Sequence, residues 1–411
     1  MNTLYISYDG MTDPLGQSQV LPYLIYLSKK GYKITILSAE KTKNFENNKQ
    51  FIYNQIKDTG IDWQYIKYTA SPPVISTLWD IYKLKKNALK LHRQKKFKII
   101  HCRSYISALI GLHFKKKMNI PFIFDMRGFW ADERVDGKIW NLKNPVFNAV
   151  YKYFKRKEKE FINRADHIIT LTKQGKNILN SWQTNINPTP VSVIPCCVDT
   201  QLFSYDNINA DKVEAYRKTL NIKEGTKIIS YLGSLGTWYM ADEMMDFYKS
   251  LSAQKPEYKF MFISYDNPED ILKLADKYSI DHQRIIVVKA RRDEVPVLLS
   301  LSSISIFFIK PVFSKKASSP TKQAEVLSMG IPIICNDGIG DTSEIITSNK
   351  VGIIIKNFNL EDYLNAINQI DNIIETPKNN IRKVALDLFS LDTGGEKYTT
   401  IYNSFKNEQN E

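Results

Sequence analysis

The chain has 411 residues, 43% of them hydrophobic and 12% aromatic, which excludes a disordered chain and leaves room for two or three domains with sizeable cores. The formal net charge of +14 is unevenly placed: residues 1–200 carry 32 basic and 15 acidic side chains, residues 201–411 carry 25 and 28. Such asymmetry predicts a polyanionic partner for the first half, whether nucleic acid, anionic lipid or a phosphorylated substrate.

Strand-like runs recur along the chain with helical patterns between them. The first half offers TLYISY, KITILSA, KIIHCRS, PFIFDM, HIITLT and VSVIPC; the second offers KIISYLG, YKFMFIS, RIIVVKA, ISIFFIK, IPIICND and VGIIIK. Most are short and almost continuously apolar, as expected of parallel strands covered on both faces. Strands alternating with helices predict α/β domains. Two sets of six predict two doubly wound, Rossmann-like domains facing across a cleft. The expected boundaries are 1–198, 199–385 and a helical segment 386–411 that packs back on the N-terminal domain. No apolar run reaches the ~20 residues of a membrane span. MNTLYISYDG lacks the succession of a signal peptide, and Cys102, Cys196, Cys197 and Cys335 show no metal spacing, so a cytoplasmic, reducing location is expected.

In open parallel sheets ligands bind outside the carboxyl ends of strands, which directs attention to the loops there. DPLGQSQ follows the first strand; Asp13, Gly16 and Gln17 stand where a phosphate or acceptor could approach backbone, although no G-x-G-x-x-G fingerprint is present. In HCRSY, Arg103 points at the crevice or forms a structural salt bridge. DMRGFWADERVDG supplies Trp130, which could stack on a sugar face, and Asp132 and Glu133, which could bond sugar hydroxyls. The basic stretches 83–98, 114–119 and 150–161 interleave Lys and Arg with Tyr, Phe and Leu and suit an anionic membrane surface.

The second half concentrates its signal in SSPTKQAEVLSMGIPIICNDGIGD, 318–341. Ser319 reads as an N-cap and Pro320 as the first helical position, with Gly330 and Pro332 as the stop. Thr321, Lys322 and Glu325 then share one helix face. The helix N-terminus and Lys322 suit an anion, Glu325 can accept from a ribose diol, and Gly338 lets backbone approach a ligand. Together they predict a sugar-nucleotide diphosphate cradle, to which Gly233 and Ser234 of GSLGTWY and Arg291 or Arg292 of VKARRDEVP are expected to contribute.

These stretches, with YDGMTDPLGQSQVLPYLIYLSKKGYKITILSAEK, FDMRGFWADE, ADHIITLTKQGKNIL and VIPCCVDTQLF, resemble family 4 retaining glycosyltransferases of the GT-B architecture. The resemblance implies transfer of a sugar from a nucleotide-sugar donor to a glycan or undecaprenyl-linked acceptor in surface polysaccharide biosynthesis. Retention at the anomeric carbon is implied, with no cofactor, no metal and no nucleic-acid partner. The basic stretches add an expected peripheral place on the cytoplasmic face of the inner membrane. No D-x-D spacing occurs in the chain. Arg127 is the first candidate to stabilise the leaving diphosphate, with Lys322 as a second cation, and Asp125 to orient a hydroxyl. Two features depart from the family pattern. Ala317 stands where a first glutamate is common, and GSLGTWY lacks the Arg and Lys that often hold the diphosphate. Alternative readings are a GT-B nucleotide-sugar epimerase and a nucleic-acid-binding α/β protein using the basic half.

Overall fold

A computed structural model describes residues 1–407. The chain divides into two compact units, Met1–Pro195 together with the chain from Leu391 onward, and Cys196–Ser390.

The first unit holds β1 (Asn2–Ser7), β2 (Lys33–Glu40), β3 (Asp62–Lys67), β4 (Ile99–Arg103), β5 (Phe122–Asp125), β6 (His167–Thr170) and β7 (Val191–Val193). They form one sheet in the order β3-β2-β1-β4-β5-β6-β7, every pair parallel. The second holds β8 (Lys227–Leu232), β9 (Tyr258–Ile263), β10 (Ile285–Val288), β11 (Ile304–Phe307), β12 (Ile333–Asn336) and β13 (Gly352–Ile355), in the order β10-β9-β8-β11-β12-β13, again all parallel. Both units are therefore doubly wound, and the central strands are buried along their length because helices cover both faces. All twelve expected runs are strands. β3, DWQYIK, escaped the sequence reading because it is an edge strand. Trp63 and Ile66 are buried while Gln64 and Tyr65 face out, so no continuous apolar run marks it.

The segment 386–411, expected as one helical piece, is divided. Helix Lys378–Phe389 ends in the second unit, and helix Leu391–Asn407 belongs to the first. Residues 408–411 of that expected segment lie outside the described residues. The Val198 N–H bonds the Phe389 carbonyl at 2.8 Å, which ties the chain entering the second unit to the chain leaving it. Among the described residues no helix is long and apolar enough to cross a membrane.

Candidate active site

Strand order reverses between β8 and β11 in the second unit and between β1 and β4 in the first. Each reversal opens a crevice at the carboxyl ends of the two strands.

In the second unit the loops after β8 and β11 hold each other. The Lys310 N–H donates to Trp238 O at 3.0 Å and the Met240 N–H to Phe308 O at 2.9 Å. Asn336, at the end of β12, clamps Ile309 through both backbone groups, at 2.7 and 2.9 Å. Gly233 turns the chain after β8 at φ +104°, a region that favours glycine. Asp266 then fixes the loop by accepting from the Ser234 hydroxyl at 2.8 Å and the Leu235 N–H at 2.6 Å. Burial alone would raise the pKa of Asp266. The Leu235 N–H, the hydroxyls of Ser234 and Ser264, and the charge of Lys322 outweigh that and hold it below the usual carboxylate range.

Lys322 enters this crevice from the first turn of helix Thr321–Ser328. Its side chain is buried, and its ammonium lies 3.9 Å from the Tyr231 ring centroid and 3.5 Å from that of Tyr239. A Cβ placed on Gly233 would meet Nζ at 3.4 Å. Nζ has no hydrogen-bond partner among the described residues. Burial holds its pKa well below the ordinary lysine value, with Glu325 and Asp266 offsetting only part. Burial, with the Glu325 charge, pushes the Tyr239 phenol up to about 12. Glu325, three residues on, is buried and ion-paired with Arg292, whose guanidinium sits 4.6 Å over the Phe203 ring.

The remaining second-unit positions fall as follows. Ser319 is not the N-cap. Pro320 is extended at φ −66°, ψ 123°, so the helix starts at Thr321 and Pro320 occupies the cap. The Ser319 hydroxyl instead accepts the Cys196 N–H at 3.2 Å. Thr321 is half-buried at the helix start. The Arg291 side chain is 73% exposed and turned to its own loop, pairing with Asp293 at 3.2 Å and Glu294 at 3.8 Å. Gly338 has φ +85°, and a Cβ there would meet Pro311 Cβ at 2.9 Å; local packing by itself requires glycine.

In the first unit, register assembles the site. Ser7, Arg103 and Asp125 form one row across β1, β4 and β5, and Tyr5 and His101 the row below. Arg103 Nε donates to Asp9 Oδ2 at 3.2 Å. Asp125 Oδ2 accepts the Tyr398 hydroxyl at 3.1 Å and lies 3.6 Å from His101 Nε2, and Oδ1 lies 3.9 Å from Arg127 Nη1. His101 Nδ1 is hydrogen-bonded to the Tyr402 hydroxyl at 2.8 Å. Burial lowers the His101 pKa and Asp125 restores only part of it. Asp125 runs the other way. Burial raises its pKa, and Arg127, His101 and Arg103 together bring it below the usual range. Arg127 occupies the left-handed region at φ +59°.

Asp13, Gly16 and Gln17 shape the loop after β1. Asp13 pairs with Lys41 at 2.8 Å and bonds Asn44. A Cβ on Gly16 would sit 2.1 Å from Gly10 O, and Gln17 Nε2 donates to Thr12 O at 3.0 Å. Glu40, at the end of β2, holds the same loop by accepting from the N–H groups of Met11 and Thr12 at 2.7 and 3.2 Å. Trp130 is half-buried against Trp140 and Phe154, with centroids at 5.2 and 4.9 Å. Asp132 accepts from the Tyr151 hydroxyl at 2.8 Å and Lys155 at 2.7 Å. Glu133 is half-buried on the same short helix, Trp130–Asp136. The structure thus gathers Arg103, Asp125 and Arg127 and sets Trp130 and Asp132 into the packing of helix Pro145–Arg164.

Sequence reasoning missed Tyr231, Tyr239, Asp266, Glu40, Tyr398 and Tyr402, and assigned no role to His101. Glu40 and Asp266 stand at or just beyond strand ends, so extending the strand-end rule past the glycine loops finds them. Tyr398 and Tyr402 carry no local signal, because their partners lie 273 and 301 residues away.

Residues 20–202 match the family model for Glycosyltransferase Family 4, and residues 212–384 that for Glycosyl transferases group 1. No curated protein sequence matches. Among solved structures, a sucrose-phosphate synthase from Thermosynechococcus elongatus aligns at TM-score 0.72 and 16% identity, over 99% of both chains. A glycosyltransferase from Rickettsia africae aligns at 0.72 and 16%, over 98% of both. Anabaena HepE in complex with UDP-glucose aligns at 0.69 and 13%, over 98% of this chain and 100% of that one. The two family models between them run through both Rossmann-like units, and the chain belongs to the family 4 glycosyltransferases with the GT-B architecture.

Proposed function

We propose that the enzyme takes a sugar from a nucleoside-diphosphate sugar and transfers it, with retention and without a metal ion, to a glycan or undecaprenyl-linked acceptor in surface polysaccharide biosynthesis. The observation that carries this reading is Lys322. A buried ammonium with no hydrogen-bond partner is costly unless an anion joins it, and this one stands at the strand-order reversal, beside a glycine turn and on the first turn of a helix whose free N–H groups also favour an anion. One helical turn on, the buried carboxylate of Glu325 is suited to a ribose diol. The family departure noted above, a post-β8 loop without Arg or Lys, is met by Lys322 reaching that loop from the helix after β11. UDP-glucose in the HepE structure agrees with a nucleotide-sugar donor here.

In the proposed reaction the bond from the anomeric carbon to the β-phosphate oxygen breaks and its electron pair leaves with the diphosphate. The acceptor hydroxyl oxygen bonds to the same face of that carbon, and its proton passes to the departing phosphate oxygen. No side-chain nucleophile is required. The largest protein contribution is charge stabilisation of the leaving group, assigned to Lys322 and Arg127. Asp125, held ionised, is assigned to orienting a hydroxyl. The first unit is assigned the acceptor, and the whole enzyme a place on the cytoplasmic face of the membrane.

The test is thermal stabilisation and slow hydrolysis across UDP-, GDP-, dTDP- and CMP-sugars, with and without EDTA. One stabilising donor, unaffected by EDTA and lost in Lys322→Met, is expected. A donor that stabilises wild type and Lys322→Met equally would sink the assignment of Lys322, and an EDTA-sensitive donor would sink metal independence.

A further inference from the structure

Three basic stretches suggested a membrane surface, and the structure separates them. Lys115 pairs with Asp166, and Lys116 and Lys157 with Glu160. Lys155 is taken up by Asp132 and Glu158. Lys117, Lys152, Arg156 and Lys159 have no carboxylate partner among the described residues, but helix Ile75–Lys95 differs in joining its free bases to an exposed apolar run. Its exposed stripe begins with Ile75, Leu78, Trp79 and Tyr82, at 65, 61, 54 and 53% exposure. The Trp79 and Tyr82 rings stack on each other at 5.4 Å. At the same three- and four-residue spacing the stripe continues with Lys86, Lys90 and Arg93, all exposed and with no carboxylate partner among the described residues. The only acid on the helix, Asp80, faces inward and is fully buried.

We infer that this stripe docks the enzyme on an anionic phospholipid bilayer, the Ile75–Tyr82 turns entering the headgroup–acyl boundary and the Lys86–Arg93 turns lying on lipid phosphates. An interfacial helix buries its apolar side chains a few ångströms deep and holds anionic lipid with its bases, and Trp and Tyr suit that boundary because one end of each ring is apolar and the other polar. Charge complementarity favours a bilayer over a second copy of this chain, whose matching stripe offers Lys86, Lys90 and Arg93 no anion, only like charges in a parallel pairing or apolar turns in an antiparallel one.

Asp80 gives the docking its direction. It accepts from the Thr69 N–H at 2.9 Å, the Tyr8 hydroxyl at 3.1 Å and Lys83 at 2.8 Å. The apolar turns are thereby tied to the loops after β3 and β1, at the carboxyl edge of the first unit's sheet. Docking there brings the edge assigned to the acceptor to headgroup level, where a lipid-linked acceptor presents its sugar. This part rests on the proposed transferase reading.

The test is co-sedimentation of the full chain with phosphatidylcholine vesicles and with phosphatidylcholine–phosphatidylglycerol vesicles, read with tryptophan fluorescence and with donor-induced thermal stabilisation. Partitioning onto the mixed vesicles is expected, with a blue shift that Trp79→Phe removes. The triple change Lys86→Gln, Lys90→Gln, Arg93→Gln is expected to weaken it about a hundredfold, and the pair Leu78→Ser, Trp79→Ser at least about tenfold, while all variants keep the wild-type melting temperature and donor response. Equal partitioning onto both vesicle types, or no loss in the variants, overturns the inference. So does a wild-type dimer that Trp79→Ser converts to monomer without vesicle binding. Vesicle binding in a protein that answers to no nucleotide sugar supports the docking and sinks the donor reading; a donor response without vesicle binding sinks the docking alone.

Discussion

The carboxyl edges of the two sheets handle buried charge in opposite ways. In the first unit Asp125 faces Arg127 and His101 and takes the Tyr398 hydroxyl, and Arg103 is held by Asp9. In the second, Glu325 has Arg292 while Lys322 has two aromatic faces and, among the described residues, no hydrogen-bonding partner. Mutually compensated charges keep a loop's shape with or without ligand. A buried charge left uncompensated costs stability in the free protein and returns it when a ligand of opposite sign binds. The contrast supports the proposed role of Lys322 toward the donor diphosphate and gives the first unit's network a structural duty beside any part it takes in catalysis.

The comparison breaks most sharply at Asp125. Asp125→Asn removes the buried carboxylate that faces Arg127 and His101 and is expected to destabilise the first unit by about 3–5 kcal/mol in denaturant unfolding. A loss below about 1 kcal/mol would mean the network is not the strut described here.

Lys322→Met should do the reverse. Donor affinity is expected to fall about a hundredfold by calorimetry, while the free protein becomes more stable because a desolvated charge has been replaced by an apolar chain of similar length. The sign of the pH effect follows. Because the folded-state pKa of Lys322 is depressed, the stability gain of the Met variant is full below that depressed value and vanishes as pH approaches the ordinary lysine value of about 10.4. A bound diphosphate raises the pKa again, so wild-type donor affinity weakens by up to about tenfold per pH unit between the free and bound values. The Met variant has no such slope. Matching pH profiles for the two proteins would remove Lys322 from the donor site.

Smaller effects sharpen the picture. Glu325→Ala is expected to weaken donor binding by about 1–3 kcal/mol through loss of the ribose acceptor, and unchanged affinity would end that assignment. Tyr398→Phe removes one hydrogen bond to Asp125 and should cost about 1 kcal/mol of stability, with donor affinity unchanged because Lys322 and Glu325, the proposed donor-binding side chains, are untouched. A weaker donor response would show that the two edges are not independent.

Much of this is legible in the amino-acid sequence. The near-continuous apolar runs marked twelve strands, because a strand covered on both faces has no polar positions to interrupt it, and the partly exposed β3 escaped for the same reason. The spacing of Lys322 and Glu325 put both on one helix face, and both are buried there. The Gly16 and Gly338 positions were read as openings for a ligand, yet each glycine is demanded by neighbouring chain, Gly10 in one case and Pro311 in the other. Asp132 looked like a sugar contact and is engaged by Tyr151 and Lys155.

Local spacing and composition were enough to specify two parallel α/β units and the helix that carries Lys322, because periodicity and helical phase are properties of neighbours in the chain; the family came from the resemblance of whole stretches. Which charges compensate one another was not accessible that way. Asp125 meets Tyr398, and Lys322 lies between Tyr231 and Tyr239, only because strand order, register and helix packing bring segments hundreds or scores of residues apart to the same few ångströms. A side chain's charge can be read from its letter; whether that charge is answered depends on everything folded around it.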